Sequence, residues 1–371
     1  MNLAEILVYT DIRQLHQIAG YYGCECNLHS KNELITTLLG NLRLRQTIET
    51  EVERLTLEEV HFLLLLFLDK RSTYTLEDLL AKAGLALGES TERSADRARK
   101  MVAGGLKRGW LFPAKGALHG QFQVPSDLRE PYVRTWLELR RLSGAGGAPA
   151  VDSFRDEGTA ACDDIHLFLA FLEKEPIPLT AEGGMYKRYQ LQLLRQLHVP
   201  EEPLGKQRWR FGYGLHFDQY PDRFSLLYDF CLYRGWIEEL PGRVAITRRG
   251  GEWLSGGDRE ESYHDLIRFW LRLYKRAIPN LPMLVQLISL LSGSGWVARH
   301  ELDAVLLPFV RPFYYDDASS ILHQRILKMM VHLGLLKVGH AEDEWWYAAT
   351  PACRDWLRKF NGFIETTILL K

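Results

Sequence analysis

The stretch from Tyr228 to Leu254 reads YDFCLYRGWIEELPGRVAITRRGGEWL. Its order predicts the end of a helix, a β-hairpin and the start of another helix. Gly235 stands where a helix C-terminus favours a residue that tolerates the left-handed conformation. Trp236–Leu240 and Arg243–Ile246 are short strand-like runs, and Pro241-Gly242 between them signals a tight turn. Thr247 can cap the following helix, which carries Trp253 and Leu254 inward.

The same grammar recurs downstream. Leu327 to Leu333 end a helix, Gly334 terminates it, and 335–338 with 345–347 form a second hairpin. Thr350, Trp356 and Leu357 then repeat the spacing of Thr247, Trp253 and Leu254. A looser copy lies upstream: Leu106 to Phe112, a turn containing Gly116 and Gly120, a return through 121–124, and a helix opened by Pro125-Ser126. A supersecondary unit written three times is an internal repeat, which carries more weight than any single-residue motif. The predicted fold is mainly α with small β-hairpins, organised as tandem winged helix-turn-helix modules.

Composition bounds the function. A chain of 371 residues suggests two to three domains. Phe62 to Leu68 is the richest apolar run, far too short to span a membrane. Met1–Tyr9 carries Glu5 and no basic leader, so no signal peptide is expected. Five scattered cysteines fit a reduced, cytoplasmic protein. The net charge of −1 rules out a globally basic nucleic-acid binder, so any DNA contact rests on local patches.

Five segments are expected: 1–50, a small helical unit; 51–142, the first winged unit; 143–161, a linker; 162–257, the second winged unit; and 258–371, a linking helix, the third winged unit and a strand-like run over 363–370. In the first, Ser30 and Glu33 predict a capping box, and Leu15-x-x-x-Ala19 … Ser30-Lys31-x-Glu33-Leu34-Ile35 resembles the SAP-type motif, which often binds DNA. A plain two-helix packing unit reads equally well. In the linker, Ser-Gly-Ala-Gly-Gly-Ala-Pro-Ala has no apolar periodicity and predicts mobility. Pro176 to Thr180 can add a strand at a sheet edge, where proline is tolerated.

From residue 55 onward, the order helix, Leu179-Thr180, Gly183-Gly184-x-Tyr186-Lys187-Arg188, helix, Arg234-Gly235-Trp236, hairpin, Thr247, Trp253-Leu254 is similar to helicase-associated domain proteins. Their winged helices resemble the accessory amino-terminal region beside XPB-type helicases. Val124 to Arg129 fits the same family's habit of opening a helix with proline after the first wing. The resemblance implies DNA binding or a place beside a helicase. No phosphate loop accompanies it, since Gly205-Lys206-Gln207 lacks the hydroxyl, so motor activity is unsupported.

Candidate phosphate contacts follow from position. On the helix over 92–108, Arg93, Arg97, Lys100 and Lys107 share one side with Gly104, while Ala98, Met101, Val102 and Leu106 face the other, a stripe that reads equally well as a solvated helix face. Lys187 and Arg188 open a helix of the second unit. Lys206, Arg208 and Arg210 interleave with Trp209 and Phe211, in a pattern that can also be a surface strand with its aromatics tucked inward. Arg243, Arg248 and Arg249 flank the wing. In the third unit, Leu322, Ile326, Met329, Met330 and Leu333 form the core stripe, with Gln324, Arg325 and Lys328 expected to face out.

Catalytic and metal readings are weak. Cys24-x-Cys26-x-x-His29 lacks a second ligand pair. Asp163-Asp164-x-His166 and Asp316-Asp317 could be carboxylates of a metal-dependent nuclease, but both fall where helix caps are expected. No metal or other cofactor is expected. The sequence therefore predicts a non-catalytic protein that binds duplex or branched DNA, in the cytoplasm or on the nucleoid, with a helicase or another protein as possible partner and no membrane contact. Its rival is a protein-interaction scaffold built from the same modules.

Overall fold

A computed structural model describes residues 1–27, 29–88, 92–114, 120–140, 151–205 and 211–359, with only the backbone described at 92–94. The described residues are mainly helical, with three small sheets. They belong to two compact units, one over 1–140 and one over 151–359.

In the first unit, α1 (Leu3–Tyr9), α2 (Ile12–Tyr21), α3 (Lys31–Leu42) and α4 (Arg45–Arg54) precede a helix–strand–helix–helix–hairpin unit. That unit is α5 (Leu57–Phe67), β1 (Tyr74–Thr75), α6 (Leu76–Leu87), α7 (Glu92–Lys107), β2 (Phe112–Pro113) and β3 (Gln121–Gln123), followed by α8 (Ser126–Arg140). Caps set the helix starts. Thr56 and Glu59 close a reciprocal capping box on α5, and Thr75 with Asp78 does the same on α6. Ser30 caps α3 as expected, but Glu33 accepts from the Asn27 amide, so the box expected there is only half made. α5 is buried on nearly every side, which explains its unbroken apolar run.

The second unit holds β4 (Phe154–Arg155) and two further copies. The first comprises α9 (Ala160–Lys174), β5 (Ile177–Pro178), α10 (Lys187–Leu194), α11 (Asp222–Arg234), β6 (Ile237–Leu240) and β7 (Arg243–Ile246), then α12 (Arg248–Gly256) and α13 (Arg259–Leu273). The second comprises α14 (Leu281–Ser292), β8 (Val297–Ala298), α15 (Arg299–Leu306) and a 3-10 turn (Leu307–Phe309). A long helix follows, made of α16 (Ala318–Ser320), a π-helical stretch (Ile321–Leu327) and α17 (Lys328–His332). β9 (Leu336–Ala341), β10 (Glu344–Ala349) and α18 (Pro351–Lys359) complete it.

All three copies share one strand arrangement. The strand after the first helix lies beside the last strand, giving the orders β1-β3-β2, β5-β7-β6 and β8-β10-β9. Each third helix ends the same way. Gly109, Gly235 and Gly334 take φ of +71°, +67° and +66°. The next residue (Trp110, Trp236, Leu335) then donates its amide to the carbonyl five positions back, on Gly105, Cys231 or Met330. In the two later copies a threonine closes the loop. Thr247 Oγ1 donates to Gly235 O and accepts from Gly250 N; Thr350 Oγ1 donates to Gly334 O and accepts from Cys353 N.

Residues 154–161 depart from the expected linker. Phe154 and Arg155 pair antiparallel with Gly339 and Val338, adding β4 to the outer side of β9, and Glu157 is buried. The strand-like run at 363–370 lies outside the described residues.

Candidate nucleic-acid interface

On α7, Ala98 and Val102 are buried as the helical period predicts, and Lys100 and Lys107 are exposed. Lys107 Nζ sits 5.6 Å from the Tyr21 ring centre. Arg97 is half-exposed and engages both oxygens of Glu58 at 2.8 Å. The Arg93 side chain lies outside the described atoms. Gly104 has a packing role within this stripe, because a Cβ there would stand 2.7 Å from Nη1 of Arg108. The Arg108 guanidinium folds back over that gap to Glu51 (2.8 Å) and Glu59 (2.6 Å). Burial pushes the Glu51 carboxyl up, against the pull of the Tyr21 hydroxyl and Arg108.

In the second unit, one backbone run joins two sets of cations. Pro178 pairs with Arg243 across the sheet edge. Leu179 N donates to Gly242 O at 2.9 Å, and Thr180 N donates to Gly184 O at 2.7 Å. The hairpin tip and the start of α10 are thereby held to the same strand. Lys187, Arg188 and Arg243 are exposed there, and Arg249, in the first turn of α12 past the base of the hairpin, is exposed as well. No described carboxylate lies within ion-pair reach of these four. Arg188 rests on the Tyr189 ring at 4.6 Å. Arg248 is exposed but pairs with Glu252 at 2.9 Å. Lys206, Arg208 and Arg210 lie outside the described residues.

The third copy corrects the expectation for Arg325 and Lys328. Arg325 is buried: its Nε donates to Asp316 at 2.8 Å and its Nη2 to the Phe211 carbonyl at 2.8 Å, with Asp222 beyond at 3.7 Å. Lys328 reaches inward to Asp222 at 2.7 Å, and Gln324 alone of the three is fully exposed. Two causes act together. Arg325 lies in the π-helical stretch, whose wider turn breaks the 3.6-residue count used to assign faces. Asp222, at the start of α11, also supplies a carboxylate to that face. α11 itself is buried from Arg223 through Cys231, while the helix over 318–332 leaves Gln324 exposed and Lys328 partly so.

The charged residues holding these helices escaped the sequence reading. Arg223, 1% exposed, faces Asp164 (2.6 Å) and Glu157 (3.2 Å), and Glu157 also meets His332 Nδ1 at 3.0 Å. Hydrogen bonding to His332, its charge and that of Arg223 outweigh burial and hold Glu157 below the usual carboxylate range. Nearby, His216 is clamped between Asp229 (Nδ1, 2.6 Å) and Glu239 (Nε2, 2.9 Å), and Tyr228 donates to Glu239 at 2.8 Å. One signal for these was present. Arg223 and Asp229 are charges flanking the largely apolar runs Phe224–Tyr228 and Phe230–Leu232, and a charge buried within such a run requires a partner.

The nuclease carboxylates are dispersed. Asp163 binds Arg259, Asp164 binds Arg223 and His198, Asp316 holds Arg325, and Asp317 caps the Ser320 amide. Cys24 Sγ accepts from Asn41. Among the described residues no group of three metal-binding side chains converges, and no helix is long and apolar enough to cross a membrane. Comparison with protein-family models, with curated proteins and with solved structures gives no match for this chain.

Proposed function

We propose that the three copies are winged helices and that the chain is a non-catalytic DNA-binding protein that docks on phosphates rather than reading bases. The supporting observation is the contrast between two sets of cations. Lys187 and Arg188 at the start of α10, Arg243 on the second hairpin and Arg249 in the first turn of α12 stand exposed with no described acidic partner. Arg325 and Lys328, on what would be a recognition helix, are committed to internal acids. Exposed hairpin and helix-end cations position a protein on a duplex without specifying sequence. Lys100 and Lys107 add a second patch in the first unit. The likeness in motif order to helicase-associated domains supports a role beside a helicase on duplex or branched DNA.

The test is duplex affinity against salt concentration. Affinity should fall steeply with salt, and K187E/R243E should flatten that slope by about 2, near one unit per lost phosphate contact. A chain that binds neither duplex nor branched DNA even at low salt overturns this reading. The second reading, a protein-interaction scaffold, is favoured by one observation: α11 is buried from Arg223 through Cys231, and the helix over 318–332 turns Arg325 into the interior.

A further inference from the structure

Phe313 and Asp316 exchange backbone hydrogen bonds (2.9 and 3.0 Å), closing a tight turn with Tyr314 and Tyr315 at its tip. Both tyrosines are far out in solvent, 74% and 73% exposed. Tyr314 has φ +51°, a left-handed conformation that is strained for a bulky residue. Exposed aromatics on a loop usually move freely; these are braced. The Phe211 ring packs beneath them, 6.0 Å from Tyr314 and 5.6 Å from Tyr315, and 6.2 Å from Phe313. Phe313 also packs on Tyr213 at 5.8 Å. Arg325 ties the two sides together, gripping Asp316 at the base of the turn and the Phe211 carbonyl behind it. The same guanidinium neutralises Asp316, and Asp317 is engaged in capping Ser320, its oxygen 2.6 Å from that amide.

We propose that Tyr314 and Tyr315 form a stacking platform for unpaired nucleobases, so that the preferred ligand is DNA with a single-stranded tail or fork. This rests on the phosphate-docking reading above and names the substrate class it would serve. Two arguments favour a base over a protein partner. Two aromatic side chains cover about 150–250 Å² each, well below the roughly 800 Å² per partner of a stable protein interface. A nucleobase needs only one ring face, and any base provides one. The preset turn also leaves little ordering to be done on binding.

The test uses the full chain and fluorescence anisotropy with two labelled probes, a blunt duplex and the same duplex carrying a single-stranded tail. The tail should raise wild-type affinity. Y314A/Y315A should lose about 10-fold or more on the tailed probe with duplex affinity unchanged, while Y314F/Y315F, which keeps both rings, should match wild type. Thermal melts of both variants check that the unit stays folded. Equal wild-type affinity for the two probes overturns the platform but leaves phosphate docking standing, as does a tail preference that survives in Y314A/Y315A. Binding of neither probe by the wild type overturns both.

Discussion

The ammonium of Lys328 lies 2.7 Å from a carboxylate oxygen of Asp222, 106 residues earlier in the chain. That contact and the neighbouring Arg325–Asp316 pair turn a face expected in solvent into an internal joint. The two cations differ in burial: the Arg325 side chain is 11% exposed and that of Lys328 40%. Removing one partner of a buried pair leaves an uncompensated charge and costs about 3–5 kcal/mol, whereas a half-exposed pair contributes under about 1 kcal/mol. Arg325→Ala should therefore lower urea stability several-fold more than Lys328→Ala. Equal, small losses would mean that the helix face is not held by these charges.

Gly235 and Gly334 occupy equivalent positions with nearly equal φ, +67° and +66°. Their surroundings differ. A Cβ on Gly235 meets nothing within 4 Å, while one on Gly334 would overlap the carbonyl oxygen of Gly158. Gly235→Ala should cost only the left-handed conformation, about 1–2 kcal/mol. Gly334→Ala must also displace the 156–158 segment that carries buried Glu157, and should cost clearly more. Matching drops in melting temperature for the two variants would contradict this packing.

What the sequence revealed and what it hid divide along one line. Elements set by neighbours in the chain were legible: Gly235 and Gly334 as helix stops, Pro241-Gly242 as a turn, Thr247 as a cap, and Pro178 on an edge strand. Contacts set by distant residues were not. Helical period shows that Arg325 lies off the core stripe, but it cannot show that Asp222 and Asp316 come to meet it. Residues 151–155 have no strand pattern of their own; Phe154 is strand because Gly339 lets the backbone approach closely. Asp164 stands at a helix start, where a cap is expected, whereas its carboxylate serves buried Arg223.

His216 gives a pH dependence. Burial lowers its pKa, but hydrogen bonds to Asp229 and Glu239 and their charges prevail, raising it from 6.5 to about 9. A raised folded-state pKa stabilises the fold fully below pH 6.5, where folded and unfolded chains both hold the proton. Above that the unfolded chain releases the proton first, and the stabilisation fades until it is gone past about pH 9. The loss amounts to about 3 kcal/mol. Unfolding free energy measured from pH 6.5 to 9 should fall, and His216→Gln should flatten that fall even though it lowers stability throughout. An unchanged slope in the variant would show that another group titrates.

Glu58 offers a gain-of-binding test on the first unit. Its carboxylate holds Arg97 at 2.8 Å, and both side chains are about two-fifths exposed, 41% and 40%. A pair so exposed contributes under about 1 kcal/mol to folding, so Glu58→Gln should leave stability nearly unchanged. It removes the negative charge that holds Arg97 and makes the α7 face more positive toward a phosphate. If α7 lies on DNA, duplex affinity should rise in Glu58→Gln and fall in Lys100→Glu/Lys107→Glu, with the salt slope flattened by about 2 in the latter. If α7 instead docks elsewhere, neither change moves DNA affinity, and the contact must come from the second unit's hairpin alone.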